Sequence, residues 1–505
     1  MIRDPALSFS LAILGITVTV TADPTVTIAS GVIVGTAVTP SNQPTATGVI
    51  NAFLGIPFAK SPPERFSPPE EPEPWSTPLL AQALPPSCPE QALPGGLSLE
   101  ASLTSPVAGN TQQSEDCLYL NIYAPQNASA SNLKEVMFWI HGGNLVSGSA
   151  SQSLYWGSPL PINEDIILVT TNYRLSFFGF SNSPGIPYGE QNSGFLDQRL
   201  ALDWARQNIQ HFGGDPTKIT VFGESAGGLS VKQLIATPPS PLPFRAAIIE
   251  SEAMELPRNG TANYQNVSQY FNCTDIQCLR NVSATSIQDY ISNNHLFFKP
   301  VDDGVSYVSD IRNSITNGSS ANIPILIGSN RNELSELVFS ISLGGTLNVD
   351  QTLDVICEVL RIPQQTCSYL ILFTCPIGAI ANYTNGQSYK VWRYRYSASL
   401  NDSQTFPGEG ATHASEVPIV FGTYQTRNAT GQEVSLSRYM QHAWASFAKS
   451  PDVGPGWPRL GTNQGTELAD IGSGNSSGEN SITFWETDIY CGTLLVFAEY
   501  LGFAW

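Results

Sequence analysis

The stretch that decides the fold is Val221-Phe222-Gly223-Glu224-Ser225-Ala226-Gly227-Gly228. Its centre spells Gly-x-Ser-x-Gly, the pattern of a nucleophile elbow, which requires a strand entering the turn and a helix leaving it. Both are legible. Ile219–Phe222 is a short apolar run of strand character, and Ala226–Ile235 has helical spacing. The glycines suit a turn so tight that side chains there would collide with neighbouring strands. Ser225 is therefore expected in a strained conformation, its hydroxyl at the positive end of the helix, where a developing anion is favoured.

The same alternation continues on both sides. Val136–Ile140, Ile166–Thr170, Ala246–Ile249 and Ile323–Ile327 read as buried strands. Leu196–His211 reads as a helix, with Leu196, Leu200, Trp204 and Ile209 in step. Leu436, Tyr439, Met440, Ala443, Trp444, Phe447 and Ala448 mark one face of a second amphipathic helix. Strands alternating with helices predict an α/β fold with a large, mostly parallel central sheet and helices on both faces. Sites in such sheets lie at the carboxyl ends of the strands. No repeat of solenoid period is present.

A serine hydroxyl is a weak nucleophile at neutral pH, so it needs a base, and the base needs an orienting acid. In this architecture the chain order is serine, acid, histidine. That order filters the five histidines. His141 and His211 precede Ser225, and His295 leaves little room for a strand-borne acid. His442 lies opposite the apolar stripe of its helix and reads as a surface residue. His413, in the loop Gly410-Ala411-Thr412-His413, is the expected base. Glu333 is the best-placed acid, because it follows the strand Ile323–Ile327 through the short loop Gly328-Ser329-Asn330. Asp302 and Asp303 precede Gly304 and read as turn residues.

A tetrahedral intermediate also needs backbone N–H donors for its oxyanion. His141-Gly142-Gly143-Asn144 follows the strand ending at Ile140, where half of such a hole would lie, and Ala226 follows the nucleophile. No metal or cofactor is expected.

Composition bounds the rest. The chain has 505 residues, only 13% of them charged, and a net charge of −19. No basic stripe is present, which argues against nucleic acid and against docking on anionic membranes. Residues 1–22 read as a secretory signal peptide: an apolar run from Ala6 to Val20 is followed by small residues before Asp23. A buried first strand is the competing reading. No later stretch is long and apolar enough for a membrane span. The tail from Leu494 to Trp505 reads as a docked helix rather than a lipid-anchor signal. Ten Asn-x-Ser/Thr sequons, at Asn127, Asn259, Asn266, Asn272, Asn281, Asn317, Asn382, Asn401, Asn428 and Asn475, favour secretion and glycosylation. Eight cysteines allow up to four disulfides, whose connectivity spacing does not fix.

These motifs resemble the type-B carboxylesterase/lipase family of α/β-hydrolases, which includes cholinesterases and fungal lipases. The resemblance runs over nearly the whole chain. It takes in Phe53-Leu54-Gly55-Ile56-Pro57-Phe58-Ala59, Arg65-Phe66 and Ser114-Glu115-Asp116-Cys117-Leu118-Tyr119-Leu120-Asn121. It continues through Asn172-Tyr173-Arg174, Leu196–Leu202, Phe212-Gly213-Gly214-Asp215-Pro216 and Trp457-Pro458. It implies one α/β-hydrolase domain over residues 23–505, the triad Ser225, Glu333 and His413, and an oxyanion hole of Gly143, Asn144 and Ala226 in a turn begun by Gly142. It also implies the disulfides Cys88–Cys117 and Cys273–Cys278, and leaves Cys357, Cys367, Cys375 and Cys491 unassigned.

The departures are specific. Asn144 stands where the family often has glycine or alanine. Asn332-Glu333-Leu334 replaces Asp-Glu-Gly, and Glu250-Ser251-Glu252 replaces Gln-Ser-Gly. The loop between Cys88 and Cys117 holds no aromatic residue, so the tryptophan that stacks on choline in cholinesterases is missing. The same loop has only a weakly apolar face for a lid. The expected activity is hydrolysis of small-molecule or lipid carboxylic esters by a secreted enzyme. A triacylglycerol lipase and a non-catalytic adhesion protein on the same fold are the alternatives.

Overall fold

The structure is a computed structural model that describes residues 23–40, 48–92, 112–156, 159–252, 260–333, 370–400, 410–424, 429–462, 467–483 and 485–500. The signal-like segment 1–22, most of the loop between Cys88 and Cys117, Cys357, Cys367 and the last five residues lie outside them.

An eleven-stranded sheet forms the centre. Its strands in chain order are β1 (Thr36–Val38), β2 (Ile50–Pro57), β3 (Tyr119–Pro125), β4 (Lys134–Ile140), β5 (Ile167–Thr171) and β6 (Gly214–Glu224). They continue as β7 (Ala246–Glu250), β8 (Ile325–Asn330), β9 (Val391–Tyr396), β10 (Leu468–Ile471) and β11 (Glu479–Ile482). The order across the sheet is β11-β10-β9-β8-β7-β6-β4-β5-β3-β2-β1. Every neighbouring pair from β10 to β5 is parallel, and the two margins are antiparallel. A separate three-stranded sheet gathers Thr25–Ile28, Gly31–Val34 and Leu79–Leu80.

Helices cover both faces, and strand alternation shows why. In β4, Val136, Phe138 and Ile140 enter one apolar cluster, while Met137 and Trp139 enter the other. A strand buried on both faces must be apolar throughout, which is how the sequence reads there. Helices α1 (Ser193–Asn208) and α2 (Ala226–Ala236) pack on the first face through Phe195, Leu202, Leu229, Val231 and Leu234. A later helix, Gly431–Lys449, packs on the second through Leu436, Met440, Trp444 and Phe447, as its stripe predicts. Thr430 and Glu433 close a capping box at its start.

Three disulfides are present among the described cysteines: Cys88–Cys117, Cys273–Cys278 and Cys375–Cys491. The first two are the pairs the family resemblance implies. The third ties the helix Cys375–Gly386 to the C-terminal helix Cys491–Tyr500. Among the described residues no helix is long and apolar enough to cross a membrane.

Candidate active site

The elbow forms where β6 ends and α2 begins. Ser225 sits between them at φ +57° and ψ −120°, a left-handed conformation that costs a non-glycine residue energy. Its N–H donates to the Glu250 carbonyl of β7 at 2.9 Å, and its carbonyl accepts from Leu229 N–H at 2.9 Å. Its side chain does not cap the helix and makes no hydrogen bond to a described residue. Gly227 shows why the pattern demands glycine: a Cβ there would lie 2.0 Å from the Ile140 carbonyl oxygen of β4.

The turn after β4 packs directly on this elbow. A Cβ on Gly142 would lie 3.1 Å from Ser225 Cβ. Gly143 takes φ +106°, and Asn144 follows at φ +56°. Asparagine is among the few side chains that adopt this region readily, so the turn survives loss of the family's usual small residue. The Gly143 carbonyl accepts from both Val146 and Ser147 N–H at 3.0 Å, which locks the turn. The N–H groups of Gly143, Asn144 and Ala226 donate to no described residue. His141 supports the turn from below. It is fully buried, stacks on Tyr173 at 4.4 Å, and its carbonyl accepts from the Tyr173 hydroxyl at 2.9 Å. Burial pushes its imidazole down to about 4.

Two loops bring the remaining residues. Glu333 follows β8 and is fully buried, and its Oε1 accepts from Asn330 N–H at 2.6 Å. His413 N–H donates to the Glu333 carbonyl at 3.1 Å, and His413 Nδ1 lies 2.7 Å from Glu333 Oε2. An ionised carboxylate only accepts, so Nδ1 carries the proton and donates to it. The other ring nitrogen, Nε2, lies 3.1 Å from Glu224 Oε1, the residue just before Ser225. His442 is 72% exposed, and Asp303 accepts from the N–H groups of Val305, Ser306 and Tyr307, a turn residue as read.

Sequence reasoning missed a buried cluster of carboxyl groups around His413. Glu224, Glu250 and Glu416 join Glu333 there. Glu416 accepts from Asn330 Nδ2 and from the Ser251 hydroxyl, the latter at 3.3 Å. Glu250 accepts from Trp444 Nε1 at 2.8 Å. Burial raises Glu224 and Glu250, and neighbouring carboxylates raise them further; Glu416 is raised by burial and then by Glu333. Burial alone would lower His413, but the charges of Glu224, Glu333 and Glu416, with the Glu333 hydrogen bond, outweigh it and push it up to about 9. His413 and Glu224 face each other at 3.1 Å, so their titrations are linked. The signals were in view: Glu224 lies inside the elbow motif, and Glu250 is one of the departures. Glu252, the other substituted position, is neutralised by buried Lys232, whose Nζ lies 2.5 Å from its Oε1.

A strained serine at a strand–helix elbow, a buried histidine–carboxylate pair and a turn of unengaged amides lie together on an α/β-hydrolase fold. The family model described as "Carboxylesterase family" matches residues 22–356 and 358–485, and the chain belongs to that family. Para-nitrobenzyl esterase of Bacillus subtilis (strain 168) is 36% identical over 79% of this chain and 86% of its own length. Carboxylesterase 1F of Mus musculus is 30% identical over 86% and 89%, and acylcarnitine hydrolase of Mus musculus 32% over 81% of each. A solved PNB esterase structure superposes with a TM-score of 0.77 at 30% identity, covering 94% of this chain and 99% of that one. The protein is a carboxylic ester hydrolase.

Proposed function

We propose that the protein is a secreted, glycosylated carboxylesterase working through an acyl-enzyme on Ser225, with His413 as base and Glu333 as orienting acid. The observation that carries the reading is the 2.7 Å contact of His413 Nδ1 with Glu333 Oε2, while Nε2 lies 3.1 Å from Oε1 of Glu224, the residue that precedes Ser225. Neutral His413 takes the Ser225 proton at Nε2 as the oxygen attacks the ester carbonyl carbon. Glu333 holds the ring and stabilises the imidazolium. The N–H groups of Gly143, Asn144 and Ala226 face the developing oxyanion. The carbon–oxygen bond to the alcohol then breaks, and His413 returns the proton to the leaving oxygen. Water, deprotonated by His413, attacks the acyl-enzyme, and Ser225 leaves with that proton. The direct test is whether Ser225 carries the acyl group during turnover.

Secretion is supported by the signal-like residues 1–22, ten sequons and three disulfides. The same proposal takes residues 23–505 as one α/β-hydrolase domain, supported by motifs spread from Phe53 to Trp457.

Glu224 sets the pH dependence. The base must be neutral, so activity rises with pH through the His413 titration. A negative Glu224 favours the imidazolium and holds that titration high. Glu224→Gln is therefore expected to move the acid limb of the kcat/KM profile to lower pH. A limb that stays in place or moves up contradicts this role.

A further inference from the structure

The segment carrying four of the ten sequons presents an ordered aromatic plate to solvent. Helix α3 (Gly260–Tyr270) ends in Tyr270, which is 63% exposed. Tyr270 stacks on Tyr290 with ring centroids 3.9 Å apart and an interplanar angle of 18°. Phe271 meets both rings edge-on, at 4.9 Å and 5.8 Å. A stack this close with most of one ring in water is an unusual use of apolar surface.

Asn266 stands four residues before Tyr270, so the two are neighbours on one face of α3. Helical side chains lean towards the N-terminus, and the Tyr270 ring therefore covers the turn that holds Asn266. The second ring reaches the same place, because the Tyr290 hydroxyl donates to the Asn266 carbonyl at 3.4 Å. Val267 beside it is fully buried and anchors the helix to the core. Asn266 is exposed, and its side chain makes no hydrogen bond to a described residue. Asn266-Val267-Ser268 is a complete sequon.

We propose that Asn266 carries an N-linked glycan whose first N-acetylglucosamine packs its C–H face against Tyr270, capping the Tyr270–Tyr290 plate. The proposal rests on the secretion reading. Attachment forms a bond from Asn266 Nδ2 to the sugar's anomeric carbon as the bond from that carbon to a lipid-linked diphosphate donor breaks; the amide loses one proton. The cap removes apolar ring surface from water, which stabilises the folded chain. Asn272 is a different case, because it lies past the helix end at φ +53° and off the Tyr270 face.

The test uses the full chain secreted from a eukaryotic host. Peptide mass spectrometry reads occupancy at each sequon, and thermal unfolding compares Asn266→Gln, Tyr270→Ser and the double variant, with Asn272→Gln as control. The expected result is an occupied Asn266, single losses of roughly 1–2 °C in Tm, and a double variant no worse than Tyr270→Ser alone. Additive losses, or coupling of Tyr270 to Asn272 instead, overturn the proposal. An unmodified Asn266 on a chain glycosylated elsewhere overturns it and leaves the secretion reading standing. A chain with no glycan at any sequon overturns both.

Discussion

Ser225→Ala is expected to lower kcat for a dissolved p-nitrophenyl ester by about 10⁴- to 10⁶-fold. The size follows from the proposed chemistry. Without the hydroxyl no acyl-enzyme forms, and hydrolysis would rest on the amides of Gly143, Asn144 and Ala226 and on binding alone. The same variant should fold normally. The Ser225 side chain makes no hydrogen bond to a described residue, and the backbone bonds that hold the elbow run from its N–H to Glu250 and from Leu229 to its carbonyl. Alanine keeps both. A variant with unchanged Tm and full activity would remove Ser225 from the mechanism.

Glu333→Gln is expected to lower kcat about 10⁴-fold with little change in KM. The reason is directional. Glu333 Oε1 accepts from Asn330 N–H at 2.6 Å, and Oε2 accepts from His413 Nδ1 at 2.7 Å. Glutamine can keep the first bond only by placing its carbonyl oxygen there, which turns its NH₂ towards Nδ1. Nδ1 must then accept, the ring proton moves to Nε2, and Nε2 cannot take the serine proton. The buried neighbours make this a discriminating measurement, because Glu224 and Glu416 also surround His413. Near-full activity in Glu333→Gln, with the collapse appearing in Glu416→Gln instead, would assign the orienting acid to Glu416.

Much of the architecture was legible because buried parallel strands are continuously apolar. β4, β5 and β7 were read within a residue or two of their bounds, and β8 within three. β9 was not, since Val391–Tyr396 contains two arginines. The fold explains them: Arg393 is 2% exposed and paired bidentately with Asp488, and Arg395 pairs with Asp470. Pairing of that kind depends on residues 95 and 75 positions away, which no local pattern reveals. Chain order narrowed the histidines to one because only five exist. Acids are far more numerous, and what marks the carboxyl cluster is adjacency. Glu224 and Glu250 are register partners across β6 and β7, a relation set by sheet order rather than by sequence spacing. The Cys375–Cys491 bridge spans 116 residues and was unreadable for the same reason.

The most direct measurement is rapid acid quench of the enzyme during turnover of a p-nitrophenyl ester, followed by peptide mass spectrometry. The account predicts the acyl mass on the peptide containing Ser225, at up to one group per chain. An acyl group on any other residue, or none during a burst of p-nitrophenol, would contradict it.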